Sequence, residues 1–114
     1  MQDCIFCKIV RHEIPARMVF EDDSAIAFHD VHPQAPTHIL VVPRKHLASL
    51  DGCDSGDTPL LGHLLAVARQ LARSEQLHPA GYRIVLNTGP VAGQTVFHLH
   101  FHLLGGRTLT WPPG

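Results

Sequence analysis

The sequence predicts an α+β fold, a five-stranded antiparallel sheet with one long and one short helix, on three observations. Five short runs carry β-branched and large apolar residues and are bounded by Gly, Pro or Asp-Asp punctuation. The connections between these runs are mostly too short for parallel crossovers. One longer segment, beginning near Thr58, repeats its apolar residues at helical spacing. A chain of 114 residues suits a single domain, 1–114, and 45% apolar content is enough for one core without disulfides or metal. Antiparallel strands with one main helix then pack as sheet on helix.

Taken in order, residues 4–10 read as a short helix or turn. Residues 17–21 and 24–30 are the first two strands, with Asp22-Asp23 as the turn between them. Residues 38–44 are the third, rich in Ile, Leu and Val, with Pro33 and Pro36 marking the loop before it and Pro43 closing it or marking an edge. Residues 51–58 are polar and glycine-rich, a loop. Thr58 is a possible cap for the long helix, Pro59 suits its first turn, and Leu60, Leu61, Leu64, Leu65, Ala68, Leu71 and Ala72 form its apolar stripe. That helix is expected to end near Leu77, before Pro79 and Gly81. Residues 82–87 are the fourth strand, 88–94 a loop, 97–104 the fifth strand, and the remaining tail is irregular.

Net charge is −1 and the isoelectric point is about 6.8, so no bulk attraction to nucleic acid or to a membrane surface is expected. A bound phosphate would have to be held by placed donors. No apolar run approaches 18 residues, and the opening MQDCIFCKIVRHE does not read as a signal peptide. Three cysteines argue against a secreted disulfide framework and for a reducing, cytoplasmic setting. Histidine is the unusual residue: ten of them outnumber the nine lysines and arginines.

The fifth strand reads Phe97-His98-Leu99-His100-Phe101-His102-Leu103. Side chains alternate faces along a strand. Phe97, Leu99, Phe101 and Leu103 are therefore expected to face the core, with His98, His100 and His102 together on the opposite, open face. Packing does not need three imidazoles there. Such a cluster serves metal ligation or phosphoryl chemistry, where an imidazole is both nucleophile and proton carrier; the plain alternative is a solvated polar face. The preceding Gly93-Gln94-Thr95 offers backbone N–H groups, an amide and a hydroxyl that can hold a phosphate without formal charge. Alone, Gly93 would be an ordinary turn glycine, Asp30 a strand-end turn residue, Asn87 a strand terminator, and Ile5, Phe6 and Phe28 plain core.

The stretch AGQTVFHLHFHLLGGR resembles the histidine triad, or HIT, family, and most closely its Hint branch of purine nucleoside phosphoramidases. The likeness extends to IPARMVFEDD, AFHDVHPQAPTHILVVPRKH, GYRIVLNTG and the terminal WPPG, nearly the whole chain. The uridylyltransferase branch usually carries glutamine where His102 stands. The dinucleoside polyphosphate hydrolases usually lack the Gly105-Gly106-Arg107 and Trp111-Pro-Pro-Gly ending.

The resemblance implies a role at each matching position. His100 is the nucleophile that becomes nucleotidylated, His102 contacts the phosphate, His98 supports, and His38 joins the same polar network. Asp30 and the backbone at Val31 bind the ribose hydroxyls. Asn87, Gly93, Gln94 and Thr95 lie on the phosphate side; Hint members usually carry serine where Thr95 stands, so the hydroxyl is kept with narrower rotamers. Ile5, Phe6, Ile9 and Phe28 wall the base pocket. The implied assembly is a homodimer whose two sheets join into one of ten strands, with the helix and residues 82–87 at the interface and the tail around Trp111 near the partner's site.

The implied reaction is hydrolysis of AMP- or GMP-linked amines through a nucleotidyl-histidine, with Thr95 and the neighbouring histidines as candidates for delivering a proton to the amine and no metal required for catalysis. Two readings from other classes stand beside it: a non-catalytic zinc protein, and a nucleotide-binding regulator acting through partners. Cys4 and Cys7 have the two-residue spacing of a thiolate pair. The resemblance supplies His46 and His98 as the remaining ligands of a structural zinc, since some bacterial HIT proteins pair such positions with an N-terminal Cys-x-x-Cys. The plain alternative is two small buried apolar residues. Cys53, in a polar loop, is excluded.

Overall fold

A computed structural model describes residues 4–114; residues 1–3, the first of the stretch read above for a leader, lie outside the described residues. The chain runs α1 (Ile5–Val10), β1 (Met18–Glu21), β2 (Ala25–His29), β3 (Thr37–Pro43), α2 (Thr58–Ser74), β4 (Tyr82–Leu86) and β5 (Phe101–Gly105), with short 3-10 turns in the loops. All neighbouring strands are antiparallel, in the order β1-β2-β3-β5-β4. The expected α+β fold of five antiparallel strands, one long helix and one short helix is therefore observed. Among the described residues no helix is long and apolar enough to cross a membrane.

Strict alternation along β2 and β3 divides two apolar layers. Ala25, Ala27, Ile39 and Val41 point toward α2 and pack with Leu64, Val67, Ala68 and Leu71, joined by Leu99, Phe101 and Leu103. Ile26, Phe28, Leu40 and Val42 point the other way and pack under Phe6 and Ile9 of α1. The sheet thus has a helix on each face, and the face expected to be open is covered at one end by α1.

The long helix begins at Thr58, which is its first residue rather than its cap; Asp57 occupies the cap position. It ends at Ser74, three residues before the expected Leu77. Gln76 takes a left-handed φ of 61°, the Gln76 N–H returns to the Arg73 carbonyl, and the Leu77 N–H returns to that of Ala72. This pair of bonds closes the helix with a Schellman motif, here without glycine. Leu77 is buried against the sheet instead of extending the helix.

Strand five is shorter than the histidine alternation suggests. It starts at Phe101, not residue 97, and the segment 97–100 is unpaired with β3. Its Leu99 N–H donates to the Leu47 carbonyl (2.6 Å). Pro43, at the end of β3, has no N–H for a ladder, and its carbonyl is taken by the His98 side chain. Phe97, expected in the core, is half exposed at 49%. Leu99, Phe101 and Leu103 are buried as expected.

Candidate active site and metal-ligand cluster

Three histidines of one type, two residues apart, acquire three different hydrogen-bonding states. A carbonyl oxygen can only accept, so the nitrogen facing it must carry the proton. His98 Nε2 donates to the Pro43 carbonyl (2.8 Å), which leaves its Nδ1 bare. His100 Nδ1 donates to the His98 carbonyl (2.7 Å), which leaves its Nε2 bare. An amide N–H can only donate, and that of Gln34 points at His38 Nδ1 (3.0 Å), so His38 holds its proton on Nε2. That Nε2 lies 2.9 Å from His102 Nδ1 and donates to it, leaving the His102 proton on Nε2. His102 Nε2 is buried and has no partner among the described residues.

Burial keeps these rings neutral. His98 is fully buried and His100 and His38 nearly so, at 0%, 8% and 4% exposure. Phe6 of α1 lies edge-on to His100, with ring centroids 5.1 Å apart, and edge-on to Phe28 at 5.5 Å. Desolvation lowers the pKa of His100 and of His38, with Asp30 opposing it in both. Desolvation, then His100 and His38, pushes His102 down to about 4. Asp30 stands beside the pair, its Oδ2 3.5 Å from His38 Nε2, while its Oδ1 accepts the His32 N–H (2.8 Å).

The other residues expected at the site fall into distinct places. Ile5 and Val31 are exposed, at 48% and 84%, whereas Phe6, Ile9 and Phe28 are buried in the layer beneath α1. Asn87 is half-buried just past β4. Gly93 has a left-handed φ of 97°, a conformation that suits glycine, and Thr95 is exposed. Gln94 departs from expectation. Its amide, read as a phosphate donor, is buried and spent on the fold: Oε1 accepts the Gly89 N–H, and Nε2 donates to the carbonyls of Ala48 and Val96. Gln94 shapes the loop, and its side chain is not free for ligand. Three contributors escaped the sequence reading: the Gln34 N–H, the Pro43 carbonyl and the His98 carbonyl. Only Pro43 left a signal, as a residue that cannot donate at a strand end.

A second cluster adjoins the first. Cys4, at the N-terminus of α1, and Cys7, on its first turn, meet His46 and His98 with all four ligand atoms within 4.8 Å of one another. The sulfurs of Cys4 and Cys7 lie 3.3 and 3.5 Å from His98 Nδ1, and Cys7 Sγ lies 3.3 Å from His46 Nδ1. The two Nδ1 atoms are 3.1 Å apart. Tetrahedral zinc with two sulfur and two nitrogen ligands gives corresponding edges of roughly 3.4–3.6 Å, so these residues fit zinc after an expansion of a few tenths of an ångström. The bare Nδ1 of His98, fixed by its bond to Pro43, is the ligand state that such a site requires. Without an ion, burial and the neighbouring Cys4 raise the Cys7 pKa.

The HIT domain model matches residues 11–109. An uncharacterized HIT-like protein of Synechococcus elongatus is 57% identical over 113 residues, covering 99% of this chain and 98% of that one. A HIT family hydrolase from Legionella pneumophila superposes with a TM-score of 0.97 at 51% identity, over 98% of this chain and 100% of that one. A histidine triad nucleotide-binding protein from Candida albicans matches at TM-score 0.82 and 34% identity, over 96% and 83% of the two chains. A zinc-bound histidine triad family protein from Mycobacterium smegmatis matches at TM-score 0.83 and 33% identity, over 93% and 76%. With its alternating imidazoles, its sheet order and these likenesses over nearly its whole length, the chain belongs to the histidine triad family.

Proposed function

We propose that this protein hydrolyses purine nucleoside phosphoramidates through a covalent nucleotidyl-histidine, as members of the Hint branch do. The observation that carries the reading is the sorting of imidazole protons: His100 has a bare Nε2 and His102 a free N–H, side by side with ring centroids 4.9 Å apart. His100 Nε2 attacks phosphorus and the phosphorus–nitrogen bond breaks. The leaving amine must take a proton, because an amide anion is a poor leaving group. The Thr95 hydroxyl passes the amine that proton and recovers one from solvent water, while the neutral His102 keeps its N–H and uses it to stabilise charge on the phosphate oxygens. Water then attacks the nucleotidyl-histidine, the bond to His100 breaks, and a nucleoside monophosphate leaves. Asp30 with the Val31 backbone binds the ribose, Asn87 and the Gly93 backbone serve the phosphate, and Ile5, Phe6, Ile9 and Phe28 form the base side. Gln94 takes part only through the loop it braces.

A structural zinc on Cys4, Cys7, His46 and His98 belongs to the same proposal, favoured by the convergence of the four ligand atoms. When bound, the ion crosslinks α1 to the start of the histidine run; the steps above use side-chain and backbone groups alone. The assembly we propose is a homodimer joined through α2 and the sheet edge at β4, where Leu65 and Tyr82 are exposed. The test is turnover of AMP- and GMP-linked amines by chelator-stripped protein. Release of the monophosphate and amine is expected. Nucleotide binding without release would favour the regulatory reading and overturn the hydrolase.

A further inference from the structure

The Gly105-Gly106-Arg107 exit from β5 serves no step described so far, yet it closes directly on the loop between β2 and β3. We infer that Arg107 is a positioning residue for the His38–His102 pair: by clamping the Gln34 carbonyl it keeps the Gln34 N–H on His38 Nδ1, and so keeps a proton on the otherwise unpartnered His102 Nε2, the nitrogen given to the phosphate above. The inference rests on the proposed role of that nitrogen.

The loop has little freedom of its own. Pro33 and Pro36 fix their own φ, and His32 and Ala35, each preceding a proline, are pushed to extended conformations. Gln34 is the one residue of 32–36 with neither restriction, and it is held from both sides. Its N–H donates to His38 Nδ1 (3.0 Å). Its carbonyl accepts two bonds from one guanidinium, Arg107 Nε at 3.1 Å and Nη2 at 3.0 Å. Arg107 Nη1 donates to the Thr108 carbonyl (3.0 Å), so the planar fork is fixed in orientation as well. Gly106 brings the arginine this close. Its φ is +92°, and a Cβ there would lie 2.9 Å from Pro36 Cβ.

The chemical consequence is a two-ring switch. With the Gln34 N–H in place, His38 donates from Nε2 to His102 Nδ1, and His102 keeps its Nε2 proton. If that N–H moves away, a neutral His38 can place its proton on Nδ1 and present a bare Nε2. His102 then donates from Nδ1, and its unpartnered Nε2 becomes a lone pair. A lone pair repels a phosphate oxygen where the proton would attract it.

Two-bond proton–nitrogen spectra of the imidazoles test this in the full protein. The wild type is expected to show both His38 and His102 protonated at Nε2 and bare at Nδ1. In Arg107→Ala the nitrogen shifts of both rings should move toward the tautomer average, with kcat lowered about 10- to 100-fold and KM changed less than about twofold. Arg107→Lys, which can still donate one bond to Gln34, should restore most of both readouts. Arg83→Ala is the control: Arg83 also donates to a tail carbonyl, that of Thr110, without reaching the loop, so the rings should keep their wild-type shifts. Unchanged His38 and His102 shifts in Arg107→Ala, or equal shifts in Arg83→Ala, would overturn the inference. A wild type without turnover would defeat the hydrolase reading alone, and the spectra would still decide this one.

Discussion

His98 and His102 stand at the two ends of one five-residue run and present opposite nitrogens to their surroundings. His98 spends its Nε2 proton on the Pro43 carbonyl and turns a bare Nδ1 toward two thiols and His46. His102 accepts at Nδ1 and keeps a protonated Nε2 that is buried and without a partner among the described residues. His100 lies between them with its Nε2 bare. One side-chain type at one spacing thus yields a bare Nδ1 turned to two thiols, a bare Nε2 and an unpartnered N–H, the states that the proposed ligand, nucleophile and donor require. The backbone groups around each ring make the distinction: a proline carbonyl, the carbonyl of the preceding histidine and, through His38, a loop amide. Spacing brings imidazoles together; the partners of their other nitrogens decide what each can do.

The sharpest test of this division removes its middle member. His100→Ala should lower turnover by about 10⁴-fold or more, since neither of the other two rings of the run has a bare Nε2. A nucleoside monophosphate should still bind in titration, through Asp30 and Asn87. Turnover within tenfold of wild type would end the covalent mechanism. The next largest effect belongs to the other end. Cys4→Ser with Cys7→Ser should reduce zinc, measured by elemental analysis, from about one per chain to near none. If the wild type sits about 100-fold above its zinc Kd, the lost stabilisation is about 2.7 kcal/mol, and Tm should fall by roughly 10 °C. His100 should keep its hydrogen bond to the His98 backbone and part of the activity. Zinc well below one equivalent in the wild type, or full zinc in the double variant, would remove the metal site.

The two regions also differ in how far the sequence revealed them. The α2 side of the sheet was legible, because helical spacing in α2 and alternation in β2 and β3 are local properties, and Leu64, Leu71, Ile39 and Val41 are buried as that reading requires. The histidine face was legible as a grouping and misread as open. Nothing in the composition of six residues of α1 shows that Phe6 and Ile9 return over Phe28 and Leu40 to cover it. Phe97 falls outside the core because alternation continues in the letters beyond Phe101, where the ladder ends against Val41, two residues short of the proline that closes β3. Gln94 was given to the ligand because its three bonds run to Gly89, Ala48 and Val96, two of them close in sequence but formed only once the loop has closed. The tautomers depend on backbone carbonyls and amides, which carry no sequence signal.

A smaller effect separates the sugar side from the phosphate side. If Asp30 accepts from the ribose hydroxyls, removing the 2′-hydroxyl forfeits one charge-assisted bond, and a 2′-deoxynucleotide should bind about tenfold more weakly than its ribonucleotide. Equal affinities by calorimetry would take Asp30 out of that role and leave it as a partner of His38 and a cap for His32.

The smallest expected effect is on pH dependence, and its sign follows from burial. His102 has its pKa pushed down to about 4 in the folded chain, and desolvation lowers that of His100 too, against about 6.5 for an unfolded histidine. Between those values the unfolded chain binds protons that the folded chain refuses. Stability is therefore fully present above pH 6.5 and is lost as pH falls toward 4. Asp57, whose pKa is lowered by Lys45, acts in a more acidic window, because its unfolded value is itself near 4. A Tm titration should thus decline through pH 6.5–4, and His102→Asn should flatten that decline while leaving the more acidic limb in place. Turnover should follow a related course: protonating His100 occupies the lone pair that attacks phosphorus, so kcat/KM should hold to below pH 6.5 before it falls. An acid limb centred above 6.5 would mean that His100 is stabilised as a cation, which a buried ring under Phe6, whose desolvation outweighs the carbonyl bond at its Nδ1, is not built to be.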